Sequence, residues 1–349
     1  MIRINEKVTI FDIASQAKCS ISTVSRALNN TGRISAKTRS EISAIAQELN
    51  YQPNTAARSL ATNRSLTIGL VISDISNIFY AEMVDIIQKE AYKLGYCVII
   101  VCTNNKPDLN KHYVNFLISR GVDGIIFGSA RYNDPVIDEL QKRGFPIILL
   151  NRRVNKDNIS CVTIDNVKGA YLLTEHLLKL GHRKIAHITG PMQFSPVIDR
   201  MEGYIKALTA REIPINENLI IREVAFKKEF GTKGAIKLLT GPERPDAIFA
   251  ANDTIALGVL EGVSELGFSV PKDIAVVGFD DIAFAALKFV ELTTVSQRLE
   301  ETAGEAVNVL INMITSNQTG AIRKIIIDPI LKIRSSCGAE MKTRAALNK

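Results

Sequence analysis

A short stretch near the N-terminus, CSISTVSRALNN at residues 19–30, carries groups that suit contact with a nucleic acid. Drawn as an α-helix, it places Ser22, Arg26 and Asn29 on one side and Val24 on the other. Short hydroxyl side chains let a helix approach phosphates closely, and an arginine can donate two hydrogen bonds to one guanine. The pattern therefore predicts a helix that lies in the major groove of DNA. The alternative is an ordinary solvated helix face.

Basic charge is concentrated in the same part of the chain. The 349 residues hold 43 Lys and Arg against 36 Asp and Glu, for a net charge of +7. Residues 1–64 contain nine of the basic residues and four of the acidic ones, so this segment alone carries +5. A basic segment ahead of a nearly neutral remainder favours a nucleic acid or a charged membrane surface as its partner, over a merely soluble face.

Neither a membrane span nor a secretory signal is expected. The sequence has no run of about 18 apolar residues, and its first residues, MIRINEKVTIFDIA, lack the apolar segment of a signal peptide. The five cysteines are odd in number and scattered, which is typical of free thiols in a cytoplasmic protein. No cofactor or metal site is expected, because neither a phosphate-binding loop motif nor a metal-type histidine pattern occurs.

Three short helices are predicted before residue 51. Thr9 is expected to cap the first with Asp12 as its capping-box partner, and Ser20 and Ser35 open the second and third. A tight turn, KCS, joins the first two at the spacing of a helix-turn-helix unit. This spacing strengthens the prediction that the segment binds DNA.

From residue 66 onward, apolar runs such as LTIGLVIS and YCVIIVCT alternate with polar helical segments. Continuous apolar runs predict central strands of parallel sheets. The pattern occurs in two similar blocks, so we expect two doubly wound subdomains with a cleft between them. The predicted fold class is a small all-α helix-turn-helix headpiece plus an α/β body of two doubly wound parallel-sheet subdomains, like periplasmic binding proteins.

The segments VTIFDIASQAKCSISTVSRALN and RISAKTRSEISAIAQELNYQPNTAARSLAT resemble the lactose-repressor (LacI/GalR) family of bacterial transcription regulators. The resemblance implies that Ile21, Ser22 and Arg26 read bases, although Ile21 also lies at the edge of the apolar face. It implies a hinge helix at 54–62 that orders when two copies meet in the minor groove, where Leu60 wedges between base steps. The implied partner of this homodimer is a near-palindromic operator in double-stranded DNA. The expected DNA-binding residues are Thr9, Ser20, Ile21, Ser22, Thr23, Ser25, Arg26, Asn29, Ser35, Thr38, Asn54, Ala57, Arg58 and Leu60.

The resemblance also implies a domain organisation in which the chain crosses between the subdomains near residues 163, 291 and 322. The helix-turn-helix domain is expected at 1–52, the hinge helix and linker at 53–65, the effector-binding and dimerisation domain at 66–341, and a tail at 342–349. The crossings assign 66–163 and 292–322 to the N-subdomain and 164–291 and 323–341 to the C-subdomain. Dimer contacts are expected on helices of the body, for example AEMVDIIQKEAYKL.

Ligands of doubly wound folds bind at the carboxyl ends of the strands, where the subdomains face each other. Polar and aromatic residues fall at these positions and match effector positions of the resembled family. A carboxylate or a guanidinium can bridge two hydroxyls and an aromatic ring can stack on a sugar, so a small carbohydrate effector is expected. Asp253 is expected to cap the helix that follows it rather than to touch the ligand. The candidate ligand-binding residues are Asp74, Phe79, Tyr80, Asn151, Arg152, Arg200, Phe226, Asn252, Asp280 and Gln297.

Several alternatives remain open at this point. DISNIFYAE also resembles the catabolite-control branch, which docks a phosphorylated carrier protein, but that branch has an arginine where Asn308 stands here. Gly128 replaces a polar side chain of lactose-type members, which suggests a smaller or differently bound sugar. A solute-binding protein is disfavoured by the basic segment. An enzyme is disfavoured because G-x-G-x-x-G, H-E-x-x-H and G-x-S-x-G motifs are absent.

Overall fold

The computed structural model describes residues 8–29, 31–51, 64–316 and 322–339. The chain divides into two compact units at the boundary between Ser65 and Leu66, which we call the headpiece and the body. No described helix is both long enough and apolar enough to cross a bilayer.

The predicted hinge helix at 54–62 lies outside the described residues. The DNA contacts predicted for Asn54, Ala57, Arg58 and Leu60 therefore also lie outside them.

Each headpiece helix begins at its predicted capping residue. The helices are α1 (Ile10–Gln16), α2 (Ile21–Leu28) and α3 (Ala36–Glu48). The Asp12 carboxylate accepts hydrogen bonds of 2.7 Å from both the N–H and the hydroxyl of Thr9. The hydroxyls of Ser20 and Ser35 accept from the third backbone N–H of α2 and α3, at 3.2 and 3.1 Å. These bonds satisfy donors that a helix start otherwise leaves exposed, so the three predicted caps are confirmed.

Packing against one another stabilises helices that are too short to persist alone in water. Each contributes a fully buried aliphatic side chain to one small core, namely Ile13 of α1, Val24 of α2 and Ile42 of α3. Lys18 adopts a left-handed backbone (φ 49°) in the turn between α1 and α2, and this conformation reverses the chain direction there.

The N-subdomain is a six-stranded parallel sheet in the order β11-β5-β4-β3-β1-β2. Its strands are β1 (Thr67–Ile72), β2 (Cys97–Cys102), β3 (Gly124–Phe127), β4 (Ile147–Leu150), β5 (Cys161–Ile164) and β11 (Lys324–Ile327). One face packs against α4 (Ile78–Lys93) and α11 (Leu299–Ser316), and the other against α5 (Pro107–Ser119) and α6 (Pro135–Lys142). Burial on both faces explains why the strands read as continuous apolar runs.

The C-subdomain is a four-stranded parallel sheet in the order β7-β6-β8-β9. Its strands are β6 (Ile185–Thr189), β7 (Ile220–Arg222), β8 (Ala247–Ala250) and β9 (Ala275–Val277). Its helices form two packed pairs, α7 (Asn166–Lys179) with α8 (Ser195–Thr209), and α9 (Lys228–Thr240) with α10 (Asp253–Glu265). Short 3-10 helices lie at Glu217–Leu219, Ala283–Ala286 and Ser335–Cys337.

Strand pairing adds detail to the three predicted crossings, which stay predictions. Strand β10 (Thr294–Ser296) pairs with β12 (Ile330–Lys332) and is bridged to the chain that follows β9, whereas the return to the N-subdomain is expected near 291. Strand β11 pairs with β5 of the N-subdomain sheet, whereas the last crossing is expected near 322. The crossing expected near 163 falls within β5, before α7 begins.

Helices α9 and α10 approach so closely that their backbones are in contact. A β-carbon on Gly258 would lie 1.9 Å from the carbonyl oxygen of Lys228, and one on Gly231 would lie 2.0 Å from that of Ile255. Only glycine permits this approach, because the opposing atoms belong to a backbone held by helical hydrogen bonds.

We therefore expect Gly258→Ala to destabilise the body by more than about 2 kcal/mol, since neither helix can yield without repacking. Gly304→Ala in α11 is the matched control. A β-carbon there meets nothing closer than the Glu90 Cγ at 3.8 Å, so the change should be neutral or stabilise by up to about 1 kcal/mol. Chemical denaturation of both variants measures the difference, and equal stabilities would contradict the close helix contact.

A buried histidine makes stability depend on pH. His187 of β6 is fully buried, stacks on the Phe249 ring at 4.4 Å, and its Nδ1 donates to the Phe249 carbonyl at 2.8 Å. Burial lowers the pKa of His187 from 6.5 to about 4. Below pH 6.5 the unfolded chain therefore gains a proton that the folded chain still excludes, and stability falls as the pH falls toward 4.

His187→Gln should remove this contribution. Relative to the variant, the wild-type protein is expected to lose about 2 kcal/mol of unfolding free energy between pH 7.5 and 5. Denaturation curves at both pH values give the free energy of unfolding of each protein. If the difference in this free energy between the two proteins did not change with pH, the lowered pKa would be refuted.

Candidate DNA-binding face and effector cleft

The residues predicted to face DNA form an exposed ridge on α2. Ser22, Arg26 and Asn29 are exposed, whereas Val24 and Ala27 are buried in the headpiece core. Because the opposite side of the helix packs against the headpiece core, the short polar ridge is free to enter the major groove of DNA.

Ile21 projects outward rather than closing the core. Its side chain is 41% exposed, and it is not among the described headpiece residues that pack on the core. This leaves an aliphatic group beside the ridge of Ser22 and Arg26, as contact with a thymine methyl would require.

The other hydroxyl groups divide between exposed and half-buried positions. The hydroxyl of Ser20 lies 2.8 Å from that of Ser22 and 2.9 Å from that of Thr23. The hydroxyl of Ser35 lies 2.7 Å from that of Thr38. Each cluster sits at a helix N-terminus, where the helix dipole favours an anion such as a phosphate. Among the candidates, Thr23, Ser25 and Thr38 are half-buried.

Gly32 is a residue that sequence reasoning missed. It adopts a left-handed backbone (φ 67°), and a β-carbon there would lie 3.1 Å from Cδ of Arg26. The absence of a side chain at Gly32 therefore lets the Arg26 stem lie against the turn after α2. Positive φ is not visible in a single sequence, so only the glycine itself signalled this position.

In the body, hydrogen bonds join the subdomains on both sides of the cleft. On one side the Tyr132 N–H donates to the Gln193 carbonyl at 2.8 Å, and Arg153 forms an ion pair with Asp199. On the other side the Glu82 carboxylate accepts a hydrogen bond of 2.9 Å from the backbone N–H of Ala283. The strand-end residues between these contacts therefore lie within a bridged cleft.

The N-subdomain contributes Asn151 and Arg152 from the end of β4. Asn151 is only 3% exposed and adopts a left-handed backbone (φ 53°), and neither its side-chain nitrogen nor its oxygen has a partner among the described residues. Arg152 donates through Nη2 to the Tyr80 hydroxyl at 3.0 Å. Burying an amide that makes no hydrogen bond destabilises a protein. Asn151 is therefore suited to form hydrogen bonds with a bound ligand.

The C-subdomain contributes a connected set of polar groups. Arg200 is 4% exposed and donates to the carbonyl of Ala251 at 2.6 Å and to the side chain of Asn166 at 2.9 Å. It also lies 3.3 Å from the Asp280 carboxylate, which accepts from the Gln297 amide. Three predicted ligand residues are thus brought together. Asn166, which follows β5, was missed, although it obeys the same strand-end pattern.

The prediction for Asp253 is wrong, because Asn252 caps α10. The Asn252 oxygen accepts from the N–H of Ile255 at 3.0 Å. The Asp253 carboxylate instead accepts from the Thr294 hydroxyl at 2.6 Å and from the Ile282 N–H at 3.0 Å. Two adjacent residues that can both cap a helix are indistinguishable in sequence.

Burial raises the pKa of both carboxyls in this region. The pKa of Asp253 is raised to about 7, chiefly by burial and then by the charge of Asp280. Burial also raises the pKa of Asp280, to about 6, against the opposing effect of Arg200. Burial lowers the pKa of Arg200 to about 10. Perturbed groups of this kind cluster at functional sites.

The remaining candidates occupy different settings. Phe226 is half-buried and its ring fills the space over Gly190, where a β-carbon would meet the ring at 2.2 Å. Phe79 is buried and meets the Tyr80 ring edge-on at 5.5 Å. Asp74 accepts from both the N–H and the hydroxyl of Ser76, so its contacts serve the loop after β1 and do not join the Arg200 group.

Two sequence models match the two units of the chain. The model described as bacterial regulatory proteins, lacI family, matches residues 9–54. The model described as periplasmic binding proteins and sugar binding domain of LacI family matches residues 65–335. The predicted fold class is confirmed by these matches together with the parallel sheets of the body.

Relatives and solved structures agree with this assignment. Catabolite control protein A of Priestia megaterium is 33% identical over 87% of this chain and 91% of its own length. The HTH-type transcriptional regulator DegA of Bacillus subtilis is 36% identical over 95% of this chain and 98% of its own length. The crystal structure of the lac repressor dimer bound to operator and the anti-inducer ONPF aligns with a TM-score of 0.85 at 29% identity, covering 95% of this chain and 99% of that one.

An exposed polar ridge on a helix-turn-helix headpiece is followed here by a periplasmic-binding-protein-like body, and each part matches its counterpart in one family. The chain belongs to the LacI family and is a DNA-binding transcriptional regulator.

Proposed function

We propose that the chain is a homodimeric cytoplasmic repressor whose operator affinity is controlled by a small hydroxylated ligand, such as a carbohydrate, bound between the subdomains. The observation that carries the proposal is that Asn151 of one subdomain is buried without hydrogen-bond partners among the described residues, while the other subdomain presents the buried Arg200–Asp280 pair. A ligand that bonds to both sides stabilises one subdomain arrangement over others. The proposed role is binding, with no catalytic step.

On the DNA side, Ser22 and Arg26 are proposed to read bases from α2, with Ile21 against a thymine methyl. The exposure of all three side chains supports these roles. The remaining hydroxyl candidates are proposed to position the headpiece on phosphates, which fixes register without reading sequence. The hinge contacts, including the Leu60 wedge, are proposed on the family resemblance alone.

The dimer contact is proposed on α4 of the body. Tyr92 on this helix is 83% exposed, which is unusual for so large an aromatic side chain within a helix. The lac repressor structure with which the chain aligns is a dimer bound to operator, and this supports a dimeric assembly here.

A phosphorylated carrier protein is not favoured as corepressor. Asn308 on α11 is exposed and uncharged. A groove at α4 and α11 is lined by the acidic residues Glu82, Asp85, Asp281, Glu300 and Glu301 and by the cations Arg298 and Lys332. A phosphate dianion would meet net negative charge there, because the carboxylates outnumber the two cations and Arg298 is already paired with Glu301.

Base reading by Arg26 is tested by Arg26→Lys, which keeps the charge but removes the fork that bonds two acceptors of one guanine. We expect operator affinity to fall about 5- to 150-fold while affinity for unrelated DNA changes little. Fluorescence anisotropy on the chain's own promoter and on a scrambled duplex, at one salt concentration, measures both. An equal loss on the two duplexes would show that Arg26 contacts only phosphates.

Ligand control is tested by Asn151→Gly, which removes the unpartnered amide and suits the left-handed backbone at this position. In a titration of operator binding with a panel of sugars and sugar derivatives, the variant should need at least about 10-fold more of the active compound. Binding of operator without ligand should be unchanged.

Asn104→Gly is the matched control, because Asn104 is also left-handed (φ 48°) but exposed in the loop after β2. It should respond like the wild-type protein. Ligand control would be contradicted if no compound changed operator binding, or if both variants lost the response equally.

A further inference from the structure

Two adjacent arginines at the cleft have opposite electrostatic surroundings. Arg153 pairs with Asp199, and that carboxylate raises the pKa of Arg153. Arg152 is 7% exposed, yet no carboxylate oxygen of the described residues lies within ion-pair distance of its guanidinium. Among the described residues, only one of these two arginines is therefore held in an ion pair.

The described groups in direct contact with the Arg152 guanidinium are neutral. Its Nη2 donates to the Tyr80 hydroxyl, and its Nε is buried without a partner. The guanidinium carbon lies 4.9 Å from the centre of the Phe194 ring and 6.0 Å from that of Phe226. Ring faces offset part of the cost of burying a cation, but a buried charge is fully compensated only by an opposite charge.

The Asp280 carboxylate interacts electrostatically with Arg152 but is hydrogen-bonded to other groups. The Asp280 carboxylate is held by Arg200 at 3.3 Å and by the amide of Gln297. Arg200 satisfies its other donors on Ala251 and Asn166. The Asp280 carboxylate therefore pairs directly with Arg200 and acts on Arg152 only at longer range.

We propose that the effector of this cleft carries an anionic group, a carboxylate or a phosphate, that pairs with Arg152. This rests on the proposed function insofar as the ligand is the cleft effector. The buried Asn151, next to Arg152 in the chain and also unpartnered, supplies a donor and an acceptor for a neighbouring hydroxyl of the same ligand. A neutral hydroxyl could accept from Nε, but it would leave the buried charge uncompensated.

The ligand-free protein gives a first test. Replacing an uncompensated buried cation with an apolar side chain of similar length should raise stability, whereas breaking a pair should lower it. We expect Arg152→Met to raise the melting temperature by about 2–4 °C in a buffer free of polyvalent anions. The control Arg153→Met should lower it, since it leaves Asp199 unpaired. If Arg152→Met lowers the melting temperature as Arg153→Met does, the proposal is overturned.

Calorimetric titration gives the second test and separates the two anion classes. The probes are glucuronate, galacturonate and glucose 6-phosphate, each with its neutral counterpart glucose or galactose. At least one anionic compound should bind about 10-fold or more tightly than its counterpart. Arg152→Gln should abolish that preference, while the affinity of the neutral sugar changes little. A neutral sugar that binds as tightly as its anionic form would overturn the proposal.

Failure of the proposed anion site can be distinguished from failure of ligand control of DNA binding. If an anionic compound binds with this preference but leaves operator affinity unchanged, the anion site stands and ligand control of DNA binding fails. The thermal comparison uses no ligand and no DNA, so it decides the charge argument even where none of these compounds binds.

Discussion

The buried guanidinium of Arg200 is the group around which the cleft is organised. A charge removed from water must be compensated, so the ends of several elements have to converge on it. Asn166 at the start of α7, the carbonyl of Ala251 after β8 and the carboxylate of Asp280 after β9 all bond to it. The Phe279 ring lies against it, with its centre 3.7 Å away. Asp280 has a positive φ of 126°, and its backbone is held by a hydrogen bond of 2.9 Å from its N–H to the Val295 carbonyl.

This organised face belongs to the C-subdomain, whereas Asn151 and Arg152 belong to the N-subdomain. The contacts that join the two halves directly are few and partly exposed, such as the Arg153–Asp199 pair and the bond from Glu82. A partly exposed pair contributes less stability than a ligand of ordinary affinity does, so such a ligand can offset its loss. A ligand that bonds to both faces therefore acts on the relative populations of subdomain arrangements. The predicted hinge at 53–65 directly precedes β1 in the chain, so it is placed to respond to that change.

Local features of the fold were predictable, whereas features set by long-range pairing were not. Helix starts at Ser20 and Ser35 follow from hydroxyl capping, and the strands of the body follow from their apolar runs. The sequence does not indicate the subdomain to which β10 and β11 belong, because these strands are only three and four residues long. Their subdomain is decided by the strand they pair with, which is not encoded locally. At the site, strand ends located most candidates, but only contacts reveal that Arg152 lacks the carboxylate that Arg153 has.

Operator and cleft ligand are proposed to select different arrangements of the subdomains. These arrangements can be compared through the distance between spin labels at exposed positions 111 and 233, one in each subdomain, with the exposed Cys97 changed to serine. Pulsed electron resonance would compare the ligand-free protein with and without operator, and then with an active ligand. We expect operator to narrow the distribution of label-to-label distances and the ligand to shift its mean in another direction. Identical distributions in all three states would contradict this proposal.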